Sequence, residues 1–96
     1  MIIRFLEVAQ QELDEAIDYH ESLVPNLGQI FIAELLTTLN LISRYPKAGH
    51  PLSTNTRRCR LSRFTYGLIY QATESEIIII AVAHLHRRPN YWGKRI

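Results

Sequence analysis

Apolar and polar positions along this chain change their spacing several times, and each change marks an element. Residues 2–6, "IIRFL", form a short β-prone run with no breaker. From Glu7 to about Leu23 the period becomes helical: Ala9, Leu13, Ala16, Ile17 and His20 recur at steps of three or four. Gln10, Gln11, Glu12, Asp14, Glu15 and Asp18 lie mostly between them. This spacing predicts an amphipathic helix whose polar face is solvated, with acidic residues in its first half, where the helix dipole favours them. Pro25 and Gly28 in "VPNLG" break it. A second helix is predicted over roughly Gln29 to Arg44, with Phe31, Leu35, Leu39 and Ile42 on one stripe and Leu36 and Leu41 broadening it. Pro46 stops that helix, and Arg44 supplies a favourable charge near its end. Two helices joined by so short a loop should pair as an antiparallel hairpin.

After the loop "PKAGHPLSTNT" the pattern reads as strand throughout. In "RRCRLSRF" Cys59 and Leu61 point one way, Arg58, Arg60 and Ser62 the other. "YGLIYQA" is a second strand, and "TESE" is a polar turn suited to a hairpin. "IIIIAVA" is an uninterrupted apolar run, the mark of a central strand covered on both faces. The predicted class is therefore α+β, in the order β-α-α-β-β-β: a short N-terminal strand and an antiparallel helical hairpin packed on an antiparallel sheet.

Length and composition narrow this picture. The 96 residues make one domain, 1–96, with a single modest core and no room for a separate cofactor domain. The 47% apolar content excludes a disordered chain. Cys59 is the only cysteine, so no internal disulfide framework exists, which fits a reducing cytoplasm. The start "MIIRFLEVAQQELDE" lacks the long apolar core of a signal peptide or membrane anchor. Net charge is only +2, yet residues 1–56 carry −4 and residues 57–96 carry +6. Such asymmetry points the C-terminal half toward an anionic partner. Strand alternation would put Arg58 and Arg60 on the solvent face beside the ending "AVAHLHRRPNYWGKRI", which holds the only tryptophan.

Familiar catalytic constellations find little support. His84 and His86 could chelate from an extended segment, but His20 and His50 are distant and Cys59 has no C-x-x-C partner, so no metal site is expected. Cys59 reads as a small core residue, and the four glycines are too scattered for a phosphate-binding loop. No cofactor is expected. Phosphate and base chemistry remains. His84 or His86 with Arg60, Arg87, Arg88 and Tyr91 has the groups a metal-free ribonuclease needs for proton transfer and charge stabilisation. Trp92 reads either as a lock pinning the tail to the sheet or as a stacking surface.

Taken together, the pieces resemble the RelE/ParE superfamily of bacterial toxins from type II toxin–antitoxin modules, including plasmid-stabilisation proteins. The segment from "LEVAQQELDEAIDYHESLVPNLG" to "LISRYPKAGHPL" is similar to the family's helical hairpin and terminal Pro loop. "RRCRLSRFTYGLIYQ" and "IIIIAVAHLHRRPNYW" are similar to its strands and its V-x-H-x-x-R-x-P-x-Y-W ending. The resemblance implies a cytoplasmic growth inhibitor neutralised by a cognate antitoxin, as a homodimer or a toxin–antitoxin hetero-oligomer, with no membrane partner. RelE-like members cut mRNA on the ribosome with several basic residues and a C-terminal tyrosine. ParE-like members inhibit DNA gyrase and lack that set. For cleavage, His86 or Arg87 matches the basic position before the terminal aromatic and Tyr91 or Trp92 the aromatic itself, which gives His84, Arg87 and Tyr91 as the candidate set. The basic patch read from the residues gives Arg58, Arg60, Arg63, His86, Arg88 and Trp92 as candidates for target binding. Gly67 stands where RelE-like toxins typically carry an arginine, and the helices and Pro loop look ParE-like. The resemblance therefore leans to ParE-like gyrase inhibition, with an mRNA endonuclease or a degenerate toxin serving only as a binding or regulatory subunit as alternatives.

Overall fold

The computed structural model describes every residue from Met1 to Ile96. Strand β1 (Ile2–Phe5) leads into helix α1 (Glu7–Leu23) and helix α2 (Leu27–Arg44). Strands β2 (His50–Pro51), β3 (Arg57–Arg60), β4 (Tyr66–Ala72) and β5 (Glu76–His84) follow, and a 3-10 turn at Gly93–Arg95 ends the chain. The predicted order holds, with His50–Pro51 added as a short edge strand inside the expected loop.

The strands form one sheet in the order β1-β5-β4-β3-β2. The pairs β2/β3, β3/β4 and β4/β5 are antiparallel, but β1 runs parallel to β5, with Phe5 opposite Ile79. The expectation of an antiparallel sheet is therefore corrected at one edge: the sheet is mixed. A tight turn such as the one joining β4 to β5 obliges its strands to run antiparallel, whereas β1 reaches β5 only after the rest of the fold, so either direction is open to it.

Both helices lie on one face of the sheet. Ala9, Leu13 and Ala16 of α1 and Phe31, Leu35, Leu39 and Ile42 of α2 pack with Leu68, Tyr70, Ile77, Ile79 and Val82. Leu36 and Leu41 are 58% and 42% exposed, so the apolar stripe of α2 is narrower than its sequence suggests. Helix α2 also starts earlier than predicted. Glu21 of α1 accepts the backbone N–H groups of Asn26 at 2.9 Å and Gly28 at 3.0 Å, satisfying donors that a helix start leaves open. Gly28 is thus no breaker. A Cβ there would stand 2.9 Å from Glu21 Oε1 and 3.0 Å from the Ile17 carbonyl, so its lack of a side chain lets the helices meet.

A bulge in β5 reassigns the two faces of the sheet. Ile69 pairs with Ala81 and Tyr70 with Ile79, which leaves Ile80 of β5 without a partner on β4. Past the bulge the alternation slips by one residue. Ile77, Ile79 and Val82 face the helices, while Ile80, Ala81 and Ala83 join Ile69 and Trp92 in a second cluster. The central strand is covered twice, by helices on one side and by its own C-terminal tail on the other.

Candidate functional site: the C-terminal tail and the strand face beneath it

The strand register places Arg58 opposite Ile69 and Arg60 opposite Gly67, while Cys59 between them is buried in the helix-side core. Arg58 and Arg60 therefore look away from the helices, as their alternation requires. Trp92 closes over this face and is 9% exposed, packed with Ile69, Ile80, Ala81 and Ala83. Beside it lies a cavity of about 250 Å³ whose wall includes Ile69, Ala83, Leu85 and Trp92, with Arg58, Arg87 and Arg88 also lining it. No hydrogen-bond partner reaches the buried Nε of Arg58. Arg58 and Arg88 make no ion pair, so the cavity carries uncompensated positive charge.

The tail is fastened by a carboxylate from the first helix. Tyr91 donates its phenol hydrogen to Glu12 Oε2 at 2.8 Å. The Arg95 guanidinium grips the same carboxylate with both terminal nitrogens, at 2.7 Å and 3.1 Å. Arg87 stands 3.6 Å from Glu12 Oε2, and its guanidinium lies 3.8 Å above the centre of the Tyr91 ring. Burial and the acceptor Glu12 hold the Tyr91 phenol well above its ordinary pKa, so it stays protonated at neutral pH. The acidic residues of α1 read from sequence as a solvated face, but Glu12 departs from that reading. Only its partners, far along the chain, reveal the difference.

Both nitrogens of His84 are engaged as well. The His86 backbone N–H donates to His84 Nδ1 at 3.1 Å, so Nε2 carries the hydrogen and donates to Thr65 Oγ1 at 3.2 Å. The His86 ring is exposed at 5.2 Å from that of His84. Arg63 lies on the side of the hairpin, where its Nε meets Glu34 Oε2 at 2.9 Å and its backbone N–H donates to Glu34 Oε1. Burial raises the pKa of Glu34, but hydrogen bonds from Arg63 and Ser62 and the arginine charge outweigh it and hold the carboxyl below its usual range. Of the residues singled out in sequence, Arg58, His84, Arg87, Arg88, Tyr91 and Trp92 gather around one cavity. Arg60 flanks them on the same strand face, and Arg63 is held elsewhere. No three His, Cys, Asp or Glu side chains are grouped to hold a metal ion, and no helix is long and apolar enough to cross a membrane.

Comparison with known proteins agrees with this architecture. A chain described as "Chromosomal ParDE TA system from P. aeruginosa" superposes with a TM-score of 0.76, over 90% of this chain and 97% of the other. At 16% identity that likeness speaks for the fold alone. No curated protein matches by sequence. Residues 3–89 match the family described as "ParE toxin of type II toxin-antitoxin system, parDE". With that match running from the first strand through the histidine–arginine segment, the chain belongs to the ParE toxin family and is a toxin component of a type II toxin–antitoxin system.

Proposed function

We propose that this toxin arrests growth in the cytoplasm by binding DNA gyrase through the basic C-terminal face, without cutting RNA, and that its cognate antitoxin releases the arrest. Arg58, Arg87 and Arg88 around the cavity, flanked by Arg60 and His86, form the binding surface. Family membership supports the gyrase reading, and so does Gly67 in place of the arginine typical of RelE-like toxins. The observation that carries it is the engagement of Tyr91. A proton-transfer catalyst must present a group free to give or take a proton near neutral pH. The Tyr91 phenol is a committed donor to Glu12 with a raised pKa, and both nitrogens of His84 are occupied. That leaves the exposed His86 ring alone where cleavage needs one group to take a proton and another to give one. Uncompensated arginines beside apolar walls suit recognition of an acidic protein surface instead.

Two assays with the purified chain test the proposal: DNA supercoiling by gyrase, and the appearance of new mRNA ends on translating ribosomes. Inhibition of supercoiling that the antitoxin relieves, with no new ends, is expected. The double variant His84→Ala with Tyr91→Phe should weaken inhibition modestly. Ribosome-dependent cuts that fall about 100-fold or more in that variant would instead assign the chain to the cleaving branch.

A further inference from the structure

The sheet leaves a gap that one side chain fills. β1 accompanies β5 only as far as Ile79, so the next part of β5 has no strand neighbour on that edge. Unpaired edge groups are costly when buried and risky when exposed. Here the Val82 N–H donates to Glu12 Oε1 at 3.1 Å, and the Ile80 carbonyl accepts from Arg95 at 3.1 Å. One carboxylate–guanidinium pair thus closes the strand edge and ties the tail to it.

Nothing in the backbone does this work. From His86 onward the only main-chain hydrogen bonds outside regular elements are local: Arg87 to His84, Gly93 to Asn90 and Arg95 to Trp92. Trp92 and the cluster around Glu12 are therefore what hold the last eleven positions to the sheet. The Glu12 side chain is only 11% exposed, and it bears on Arg87 twice: directly at 3.6 Å, and through the Tyr91 ring over which Arg87 lies.

We infer that Glu12 is a positioning residue of the toxin, a helix-borne carboxylate that fixes the arc of tail carrying Arg87, Arg88 and Trp92 across the sheet. The inference rests on the reading of that tail as the working surface. It assigns α1 a share in toxicity although the helix carries none of the residues proposed to meet the target. Arg88, on the same arc but without an ion-pair partner, is aimed by a contact in which it takes no part.

The test uses the full-length chain with Glu12→Ala, and Leu39→Ala as a comparator that loosens the hairpin core away from the tail. Hydrogen exchange reads the latch, and the inducer level needed for growth arrest reads toxicity. Glu12→Ala should speed Val82 amide exchange at least about tenfold. It should also raise the inducer level for arrest by about tenfold, while Leu39→Ala, melting at least as low, still arrests growth. Should Glu12→Ala fail to fold, Glu12→Gln, which keeps an acceptor for Val82 but loses the charge, is held to the same arrest criterion. Full toxicity without Glu12, an unchanged Val82 amide, or equal loss of arrest in Leu39→Ala would each overturn the inference. A wild-type chain that arrests growth without touching gyrase would defeat only the gyrase reading, because the arrest readout does not depend on the target.

Discussion

Arg58 lies across Gly67. A Cβ built on that glycine would stand 3.2 Å from Arg58 Cγ and 3.3 Å from Leu85 Cδ2, so the absent side chain makes the bed in which the arginine rests. Relatives that cleave RNA typically carry an arginine at the matching strand position. In this chain that volume on the tail face is already taken, by an arginine supplied from the neighbouring strand. Gly67→Arg should therefore displace Arg58 and Leu85 and cost roughly 1–3 kcal/mol through overpacking. Urea denaturation measures that loss, and sequencing of mRNA ends should find no cleavage gained. New ribosome-dependent cuts in Gly67→Arg would show that one missing arginine alone separates this chain from the cleaving branch.

Cys59 gives a test of the strand faces that is independent of toxicity. It is buried among the helix-side residues, and burial pushes its thiol pKa up, which suppresses the reactive thiolate. A thiol reagent should label it slowly under native conditions and at once in denaturant. Cys59→Ser places a hydroxyl in that apolar setting and should cost about 1–3 kcal/mol. Rapid native labelling would mean that Arg58 and Arg60, not Cys59, face the helices.

Tyr91 links the tail to pH. Its phenol is raised by burial first and by Glu12 second, so the folded protein holds the proton to higher pH than the unfolded chain does. A group raised in this way contributes its full stability below the unfolded value, near 10, and loses it as pH climbs above that. Tyr66 and Tyr70 are also raised, chiefly by burial, and act in the same direction. The Cys59 thiol, raised by burial from an ordinary value of 9.0, acts likewise from lower pH. Denaturation midpoints should thus be flat from neutral pH to about 9 and fall beyond it, more steeply above about 10, with each raised group adding at most ~1.4 kcal/mol per pH unit. Tyr91→Phe should lower stability at neutral pH and make the alkaline fall shallower. An equally steep fall in Tyr91→Phe would remove Tyr91 from the account.

Local pattern made most of this fold legible. The three-and-four spacing of Ala9, Leu13, Ala16 and His20 and of Phe31, Leu35, Leu39 and Ile42 identified both buried helix faces, because burial of a helix imposes that period. Alternation placed Cys59 on the helix side and Arg58 on the other for the same reason. The solvent expected around Arg58 is partly replaced by the tail, however, which half-buries it and leaves its Nε buried. What escaped has no local signature. The parallel pairing of β1, the bulge at Ile80 and the seat of Glu12 each depend on a partner far away in the chain. Glu12 sits among acidic neighbours in the sequence, and the group that distinguishes it, Tyr91, lies 79 positions later. Gly28 misled because glycine serves turns and close helix contacts alike, and only the neighbouring Ile17 and Glu21 tell which. In the tail, sequence found the residue types that gather around the cavity and offered Trp92 as a lock on the sheet, but not the second fastening, the hold of Glu12 on Tyr91 and Arg95.

The last comparison separates surface from scaffold within the tail itself. Arg87 is 56% exposed, and its contacts are a 3.6 Å ion pair and a ring face, each weak where water screens it. Arg87→Ala should lower stability by less than about 1 kcal/mol and yet abolish growth arrest. Trp92 covers the far face of the central strand, and removing so large a buried ring should cost roughly 3–5 kcal/mol. Trp92→Ala should accordingly lose arrest and stability together. Urea denaturation of both variants beside a growth assay distinguishes them, because only Arg87→Ala uncouples the two readouts. A fully toxic Arg87→Ala would take the working surface away from this tail and direct attention to Arg60 and Arg63. A stable but harmless Trp92→Ala would make the ring a direct contact with the target.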